Sequence, residues 1–326
     1  MSTIRRCAAV VIVAFVLAIP SASHSQQVMP TDKDFTFNVN VHEVLLHATV
    51  RNRKGAPVAG LNKEDFQVFE DRVLQPIKHF SHEDIPVTAG IVIDNSGSMQ
   101  PRRAEVIAAA LAFAASSNSQ DQMFLVNFNE HVSFGLPRGT DFTDRHEQLK
   151  DAMKTVIADG KTALYDAVIV ALEHLKVGTR DKKVLIVVSD GADNASAHTK
   201  EQMLTLATRS EAIIYAIGVY EQDDPDKNPR VLKELARAGG GEAYFPQELK
   251  EVVPICERIA HEIRNQYTIS YISTNQKQDG TYRAIEVRAQ APGGRGLAVT
   301  TRVGYVAPAA KPAATAADSH KPQVRN

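Results

Sequence analysis

Five oxygen-bearing side chains, Asp94, Ser96, Ser98, Thr162 and Asp190, stand where they could share one cation. The run Ile91-Val92-Ile93-Asp94-Asn95-Ser96-Gly97-Ser98-Met99 ends an apolar stretch with a carboxylate and two hydroxyls in close succession. A second apolar stretch ends in Ser189-Asp190-Gly191-Ala192-Asp193. Between them, Asp159-Gly160-Lys161-Thr162-Ala163-Leu164-Tyr165-Asp166 reads as a loop with a hydroxyl just ahead of a helix. The set contains neither imidazole nor thiolate, which suits a hard cation such as magnesium, manganese or calcium and disfavours zinc and copper. Two carboxylates neutralise a divalent ion, and the hydroxyls add donors without adding charge. Magnesium takes about six oxygens in a near octahedron, so five side chains, some acting through water, leave a position open to exchange. Such an ion stays electrophilic enough to take an acidic side chain from a partner. A buffering calcium site would carry more carboxylates.

The elements that must position these residues follow from periodicity. From about Val87 to Gln266, apolar strand-length runs alternate with helix-length amphipathic runs. Strands are predicted over Val87 to Ile93, Met123 to Phe128, Val184 to Val188 and Ile213 to Val219. Helices are predicted over Pro101 to Ser117, Asp144 to Ile157, Leu164 to Lys176, Thr199 to Glu211, Asn228 to Ala238 and Glu248 to Asn265. Asp144 with Glu147, and Thr199 with Gln202, have capping-box spacing. Near-continuous apolar strands imply a sheet covered on both faces, hence an α/β fold with a doubly wound, mostly parallel sheet. Asn129-Glu130-His131 between two strand-like runs predicts a hairpin adding an antiparallel edge strand, Val132 to Leu136. Ligands of such sheets bind at the carboxyl ends of the strands, near the switch point of strand order. Asp94 and Asp190 end two of them.

On both sides of this region the period changes to two. Phe35, Phe37, Val39, Val41 and Leu46, Ala48, Val50 alternate in an N-terminal β segment over 35–85. Tyr267-Ile269-Tyr271, Ile285-Val287 and Leu297-Val299 alternate in a C-terminal one over 267–306. Neither flank alone offers enough strands for a stable body, so the two are predicted to pool into one small sandwich interrupted by the central domain, 86–266.

Length and composition set the remaining bounds. The chain has 326 residues with 37 basic and 38 acidic side chains, so no global charge draws it to nucleic acid or to an anionic membrane. It has two cysteines, Cys7 and Cys256, which rules out a disulfide scaffold or thiolate metal cluster within one chain. Arg5 and Arg6, the apolar run Cys7 to Ile19 and the small residues after Pro20 have the layout of a signal peptide over 1–25. The expectation is an exported protein, periplasmic or extracellular, with no stable membrane insertion after cleavage. An uncleaved N-terminal anchor is the alternative. Cys256 then remains as the single thiol, among apolar neighbours in the core. Residues 307–326, rich in Ala and Pro, read as a disordered tail.

Asp94-x-Ser96-x-Ser98, Thr162 in Gly160-Lys161-Thr162-Ala163-Leu164-Tyr165-Asp166-Ala167, and Ser189-Asp190-Gly191-x-Asp193 resemble the metal-ion-dependent adhesion site of von Willebrand factor type A (VWA) domains. The likeness covers about Val87 to Asn265. Gly60-Leu61-Asn62-Lys63-Glu64-Asp65-Phe66-Gln67-Val68-Phe69-Glu70-Asp71, Gln266-Tyr267, Asp279-Gly280-Thr281-Tyr282-Arg283 and Val303-Gly304-Tyr305 resemble a group of secreted bacterial VWA-related proteins. The resemblance implies Ser96, Ser98 and Thr162 as metal contacts, with Asp94 and Asp190 binding directly or through water. It implies a protein partner with an exposed Asp or Glu.

Other chemistries fit less well. A haloacid-dehalogenase-type phosphatase needs a second Asp where Ser96 stands. A serine hydrolase elbow needs glycine where Asp94 stands. No His, Glu or Lys near the three loops offers itself from the sequence as a general base. Asp166 and Asp193 read equally as outer supports of the site or as turn and cap residues. Gly239-Gly240-Gly241 follows a helix without a nucleotide fingerprint, and His42, His47, His79 and His82 read as surface or sandwich residues. The chain is therefore read as a metal-dependent protein-binding module and not an enzyme. A metal-dependent hydrolase and a structural envelope component with a stabilising metal are the alternatives.

Overall fold

Four strands come first among the described residues: β1 (Glu43–Arg51), β2 (Phe66–Glu70), β3 (Val73–Gln75) and β4 (Ile77–Ser81). The computed structural model describes residues 43–154, 158–220, 225–291 and 295–309. The chain continues through β5 (Val87–Asp94), α1 (Arg103–Ala115), β6 (Gln122–Phe128), β7 (Val132–Phe134), α2 (His146–Lys154), α3 (Leu164–Leu175) and β8 (Lys182–Ser189). After these come α4 (Lys200–Arg209), β9 (Ile213–Gly218), α5 (Pro229–Ala238), β10 (Ala243–Tyr244) and α6 (Val252–Arg264). The last strands are β11 (Tyr267–Ile272), β12 (Tyr282–Ala291), β13 (Arg295–Thr300) and β14 (Gly304–Val306).

The central sheet has the order β10-β9-β8-β5-β6-β7, parallel throughout except for β7. Every residue of β5 is buried, as a strand covered on both faces requires. The chain leaves β5 for β6 on one side and later returns to β8 on the other. The order reverses there, and the carboxyl ends of β5 and β8 flank the resulting crevice. β7 folds back through Asn129, whose side chain accepts the His131 N–H at 2.9 Å.

Helix ends depart from the periodic pattern where local chemistry intervenes. Pro101 has no N–H to donate, and the segment Gly97–Arg102 is a 3-10 turn from which α1 starts only at Arg103. α2 begins at His146, two residues beyond the predicted Asp144. Thr143 organises that start, its hydroxyl accepting the Arg145 N–H and donating to Gln148. Thr199 and Gln202 do form the capping box of α4. A 3-10 turn, Leu249–Glu251, precedes α6.

The flanks pool their strands into one hydrogen-bonded antiparallel sheet, not the two stacked sheets expected of a sandwich. Its order is β3-β2-β12-β13-β1-β11-β4, with β14 on β12. β1 supplies the continuity, pairing with β11 over Glu43–Ala48 and with β13 over Thr49–Arg51. The sheet wraps on itself. Phe66 of β2 lies 5.0 Å from Tyr267 of β11 and 5.2 Å from Phe80 of β4 between ring centroids. Tyr271 of β11 donates to Glu70 of β2 at 2.8 Å. The enclosed core of Val44, Leu46, Val68, Tyr267, Ile269 and Tyr271 is separate from the core of the central sheet.

Polar staples join the two bodies. Arg51 of β1 reaches Glu262 and Glu242, each at 2.7 Å. Buried Lys182 donates to the Ile263 carbonyl near the end of α6. Gln266 donates to Thr49 at 3.1 Å and to Tyr215 at 3.3 Å. His47 is buried against Thr268, His82 stacks on Tyr267, and His79 is exposed on β4. Ala307, expected in a disordered tail, is buried and donates to the Thr281 carbonyl at 2.9 Å. The signal peptide, the strand over Phe35 to Val41, His42, residues 155–157 of the second predicted helix and residues 310–326 of the tail lie outside the described residues. Among the described residues, no helix is long and apolar enough to cross a membrane.

Candidate metal centre

Parallel pairing puts the ends of β5 and β8 side by side, and the site begins there. Asp94 closes β5, and its Oδ2 accepts the hydroxyl of Ser189, the last residue of β8, at 2.6 Å. Its Oδ1 accepts the Ser96 N–H at 2.9 Å, which turns the chain back over the carboxylate. Ser96 is extended at φ −67° and ψ 166°, and the 3-10 turn that follows presents Ser98. Ser96 and Ser98 share a hydroxyl hydrogen bond of 3.1 Å. Ser98 Oγ donates to Asp190 Oδ2 at 2.6 Å, and the other Asp190 oxygen accepts the Ala192 N–H at 2.9 Å. Asp94, Ser96, Ser98 and Asp190 are thus one side-chain network across two loops.

Thr162 enters through the backbone of the loop that carries it. Gly97 N–H donates to the Gly160 carbonyl at 3.1 Å, and Asp159 N–H to the Asn95 carbonyl at 2.9 Å. Thr162 N–H donates to Asn194 Oδ1 at 2.9 Å, while its carbonyl accepts the N–H groups of Asn194 and Ala195. All five predicted residues therefore lie in one cluster of three interlocked loops. Asp94, Ser96, Thr162 and Asp190 are buried, while Gly97 and Ser98 are exposed and open the cluster to solvent.

The neighbouring acids have defined work. Asp193 accepts the Tyr165 N–H at 3.0 Å and the Ser196 hydroxyl at 2.6 Å, capping the first turn of α3 behind Thr162. Asp166 accepts the N–H groups of Ala197 and His198 and pairs with His198 Nδ1 at 2.7 Å. Both are braces between α3 and the loop after β8. Lys161 is exposed, and its N–H donates to Glu130 Oε2 at 3.2 Å. Glu130 is thus a carboxylate beside the second loop that the sequence reading did not assign.

Ser189, Asn194 and Asn95 were also missed. Ser189 carries a signal in retrospect, being the polar residue that ends an otherwise apolar strand. Gly191 fixes the turn after Asp190 at φ +84°, and a Cβ there would stand 2.4 Å from the Asn228 carbonyl oxygen. Asn228 N–H in turn donates to the Asp190 carbonyl at 3.0 Å.

The electrostatics fit a cation. Burial, and then the charge of Asp190, push the Asp94 carboxyl up to about 7, against the opposing bonds from Ser189 and Ser96. Among the described residues neither Asp94 nor Asp190 pairs with a lysine or arginine, so two acids share a desolvated site without a positive partner. A divalent ion on this all-oxygen donor set would supply the missing charge. No group of three or more His, Cys, Asp or Glu side chains among the described residues is arranged to hold a metal. The candidate is therefore this mixed carboxylate and hydroxyl set.

Residues 90–192 match the family model of the von Willebrand factor type A domain. The chain carries a VWA domain. The matched span contains Asp94, Ser96, Ser98, Thr162 and Asp190 and ends at Ala192. An uncharacterized protein of Borreliella burgdorferi is 24% identical over 205 residues, 60% of this chain and 60% of that protein. The chain thus spans about 60% of the length of that curated relative. A von Willebrand factor type A structure from Catenulispora acidiphila is 13% identical at a TM-score of 0.48, covering 83% of this chain and 76% of that one. Proximal thread matrix protein 1 from the mussel byssus, solved with a zinc-occupied MIDAS motif, is 16% identical at a TM-score of 0.45, covering 56% of this chain and 49% of that one.

Proposed function

We propose that the VWA domain makes this chain an exported protein-binding module, using one divalent cation to coordinate an acidic side chain of a partner. Asp94, Ser96, Ser98, Thr162 and Asp190 would hold the ion, magnesium first, with manganese or calcium as substitutes. The observation that carries the reading is the pair of buried carboxylates, Asp94 and Asp190, tied through Ser96 and Ser98 to a solvent-facing rim, neither acid being paired with a lysine or arginine among the described residues. When bound, the ion supplies a Lewis-acidic position for a carboxylate. The residues of this chain fix the donors: Ser189 holds one oxygen of Asp94, Ala192 holds one of Asp190, and Asn194 holds the Thr162 backbone. The exposed side at Gly97 and Ser98 is where a partner's Asp or Glu would enter.

Export is part of the proposal. It is supported by the leader-like layout before Ser25 and by the burial of Cys256, whose thiol burial pushes up to about 12 and so leaves it inert in an oxidising compartment. The wrapped flank sheet is proposed as the platform that presents the VWA domain.

The test is capture of a partner from envelope extract by the immobilised chain. Capture should require divalent cation, disappear with chelator and with Asp94→Asn, and fail for a partner whose contacting carboxylate is amidated. Capture indifferent to all three would refute the reading. Unfolding of the chain on chelation would instead favour a structural metal, and turnover on phosphate or peptide substrates a hydrolase.

A further inference from the structure

Asn95, between two of the proposed metal residues, bonds in the opposite direction from them. Its backbone N–H donates to the Phe128 carbonyl at 2.6 Å, and its carbonyl accepts the Asp159 N–H at 2.9 Å. Its side-chain amide donates to the carbonyl of Ile93 and to Asn127 Oδ1, both at 3.1 Å. The remaining oxygen, Oδ1, accepts Arg103 Nη1 at 2.6 Å. Asn95 is buried with its donors and acceptors all engaged, and it joins β5, β6, the second loop and α1 at one point. Arg103 spends its other arm on the Met153 carbonyl in α2, at 2.9 Å.

Among the described residues Arg103 makes no ion pair, so its charge is directed at two neutral oxygens. A charged donor on an amide oxygen is stronger than a neutral one, and a guanidinium can hold two acceptors in fixed geometry. A helix staple alone would need the contact to Met153 and not the one to Asn95. We propose that Arg103 is a positioning residue for the metal centre: by clamping Asn95 it fixes the chain between Asp94 and Ser96 in the conformation that aims both inward. The inference rests on the metal reading of the site, and its mechanical part can be tested without metal. Partners that orient metal ligands from behind typically account for about 10 to 100-fold in affinity.

The experiment uses the full chain and four variants, Arg103→Met, Arg103→Lys, Asn95→Ala and the Arg103→Met, Asn95→Ala double substitution, titrated with manganese. Arg103→Met should weaken binding about 10 to 100-fold. Asn95→Ala should do the same, with the double variant no worse than the worse single one, and lysine should restore part of the loss. In metal-free protein, amide exchange at Ser96 and Gly97 should quicken in Arg103→Met, while exchange in the core of β9 stays unchanged. Unaltered exchange at Ser96, or independent additive losses, would overturn the proposal. If wild type itself bound no manganese, the metal reading would fall, and the exchange result would still decide whether Arg103 holds the loop. Should Arg103→Met not fold, the Arg103→Lys and Asn95→Ala pair give the same comparison.

Discussion

At the residue scale the site is a charge problem solved by oxygen atoms. Asp94 sits above its ordinary range because it is buried beside Asp190, so the native state holds its proton more tightly than the unfolded chain does. Its contribution to stability is full below the unfolded value of 3.8 and is lost as pH rises to about 7. The loss is on the order of a few kcal/mol. Metal-free protein carrying Asp94→Asn should therefore gain stability relative to wild type as pH rises across that window, in thermal melts at closely spaced pH values. Magnesium should remove the difference by stabilising wild type alone. Ser189→Ala should weaken cation binding without abolishing it, because it frees one oxygen of Asp94 and leaves the donor set intact. A calorimetric titration of that variant checks this. The five donors were legible in the sequence because each ends a strand or precedes a helix at the same sheet edge. Ser189 stands beside Asp190 in the sequence, but its bond to Asp94 depends on the pairing of β5 with β8, and Asn95 and Arg103 were hidden because neither is an unusual residue in a loop or helix. Only their burial and direction reveal the work they do.

At the element scale, the parallel core was readable because strands buried on both faces must be apolar runs. The flank sheet was readable as strands but not as topology. Alternation gives the faces of Leu46 and Ile269, while nothing local tells β1 to pair with β11 over one half and β13 over the other. The same limit hid the junction between the bodies. Gly240 is at φ +70°, and a Cβ there would stand 2.1 Å from the Arg302 nitrogen, so this glycine is required by close approach of the flank, while Gly239 and Gly241 abut Ile214 of β9. Gly240→Ala should cost roughly 2 kcal/mol or more, lowering the melting temperature by about 4–8 °C. A scan showing no change would mean that this contact is soft. His47, on β1, tests the other body. Burial, and then Lys182, hold its imidazole down to about 3, so the native state disfavours its protonation. Its contribution is full above the ordinary value of 6.5 and is lost as pH falls toward about 3. This opposes the Asp94 slope, so wild-type metal-free protein should show a flatter acid profile than either Asp94→Asn or His47→Gln.

At the scale of the whole molecule, the arrangement is one VWA domain set within a sheet built from chain segments before and after it. A chain ending after Gln266 would lose β11, β12 and β13, leaving Val44, Leu46 and Val68 without the partners that bury them. Such a truncation should be cut rapidly by protease across residues 43–81, whereas the full chain should resist there. The flank sheet and the central sheet share α6, through Arg51 and Glu262 on one side and the central core on the other. Recognition of a partner by this edge depends on whether the three loops hold an ion. Isothermal titration of magnesium and of manganese into the chain, beside Asp94→Asn, tests that most directly. One saturable site per chain, lost in the variant, is the predicted result; no binding to the wild-type chain, or equal binding to both, would contradict it.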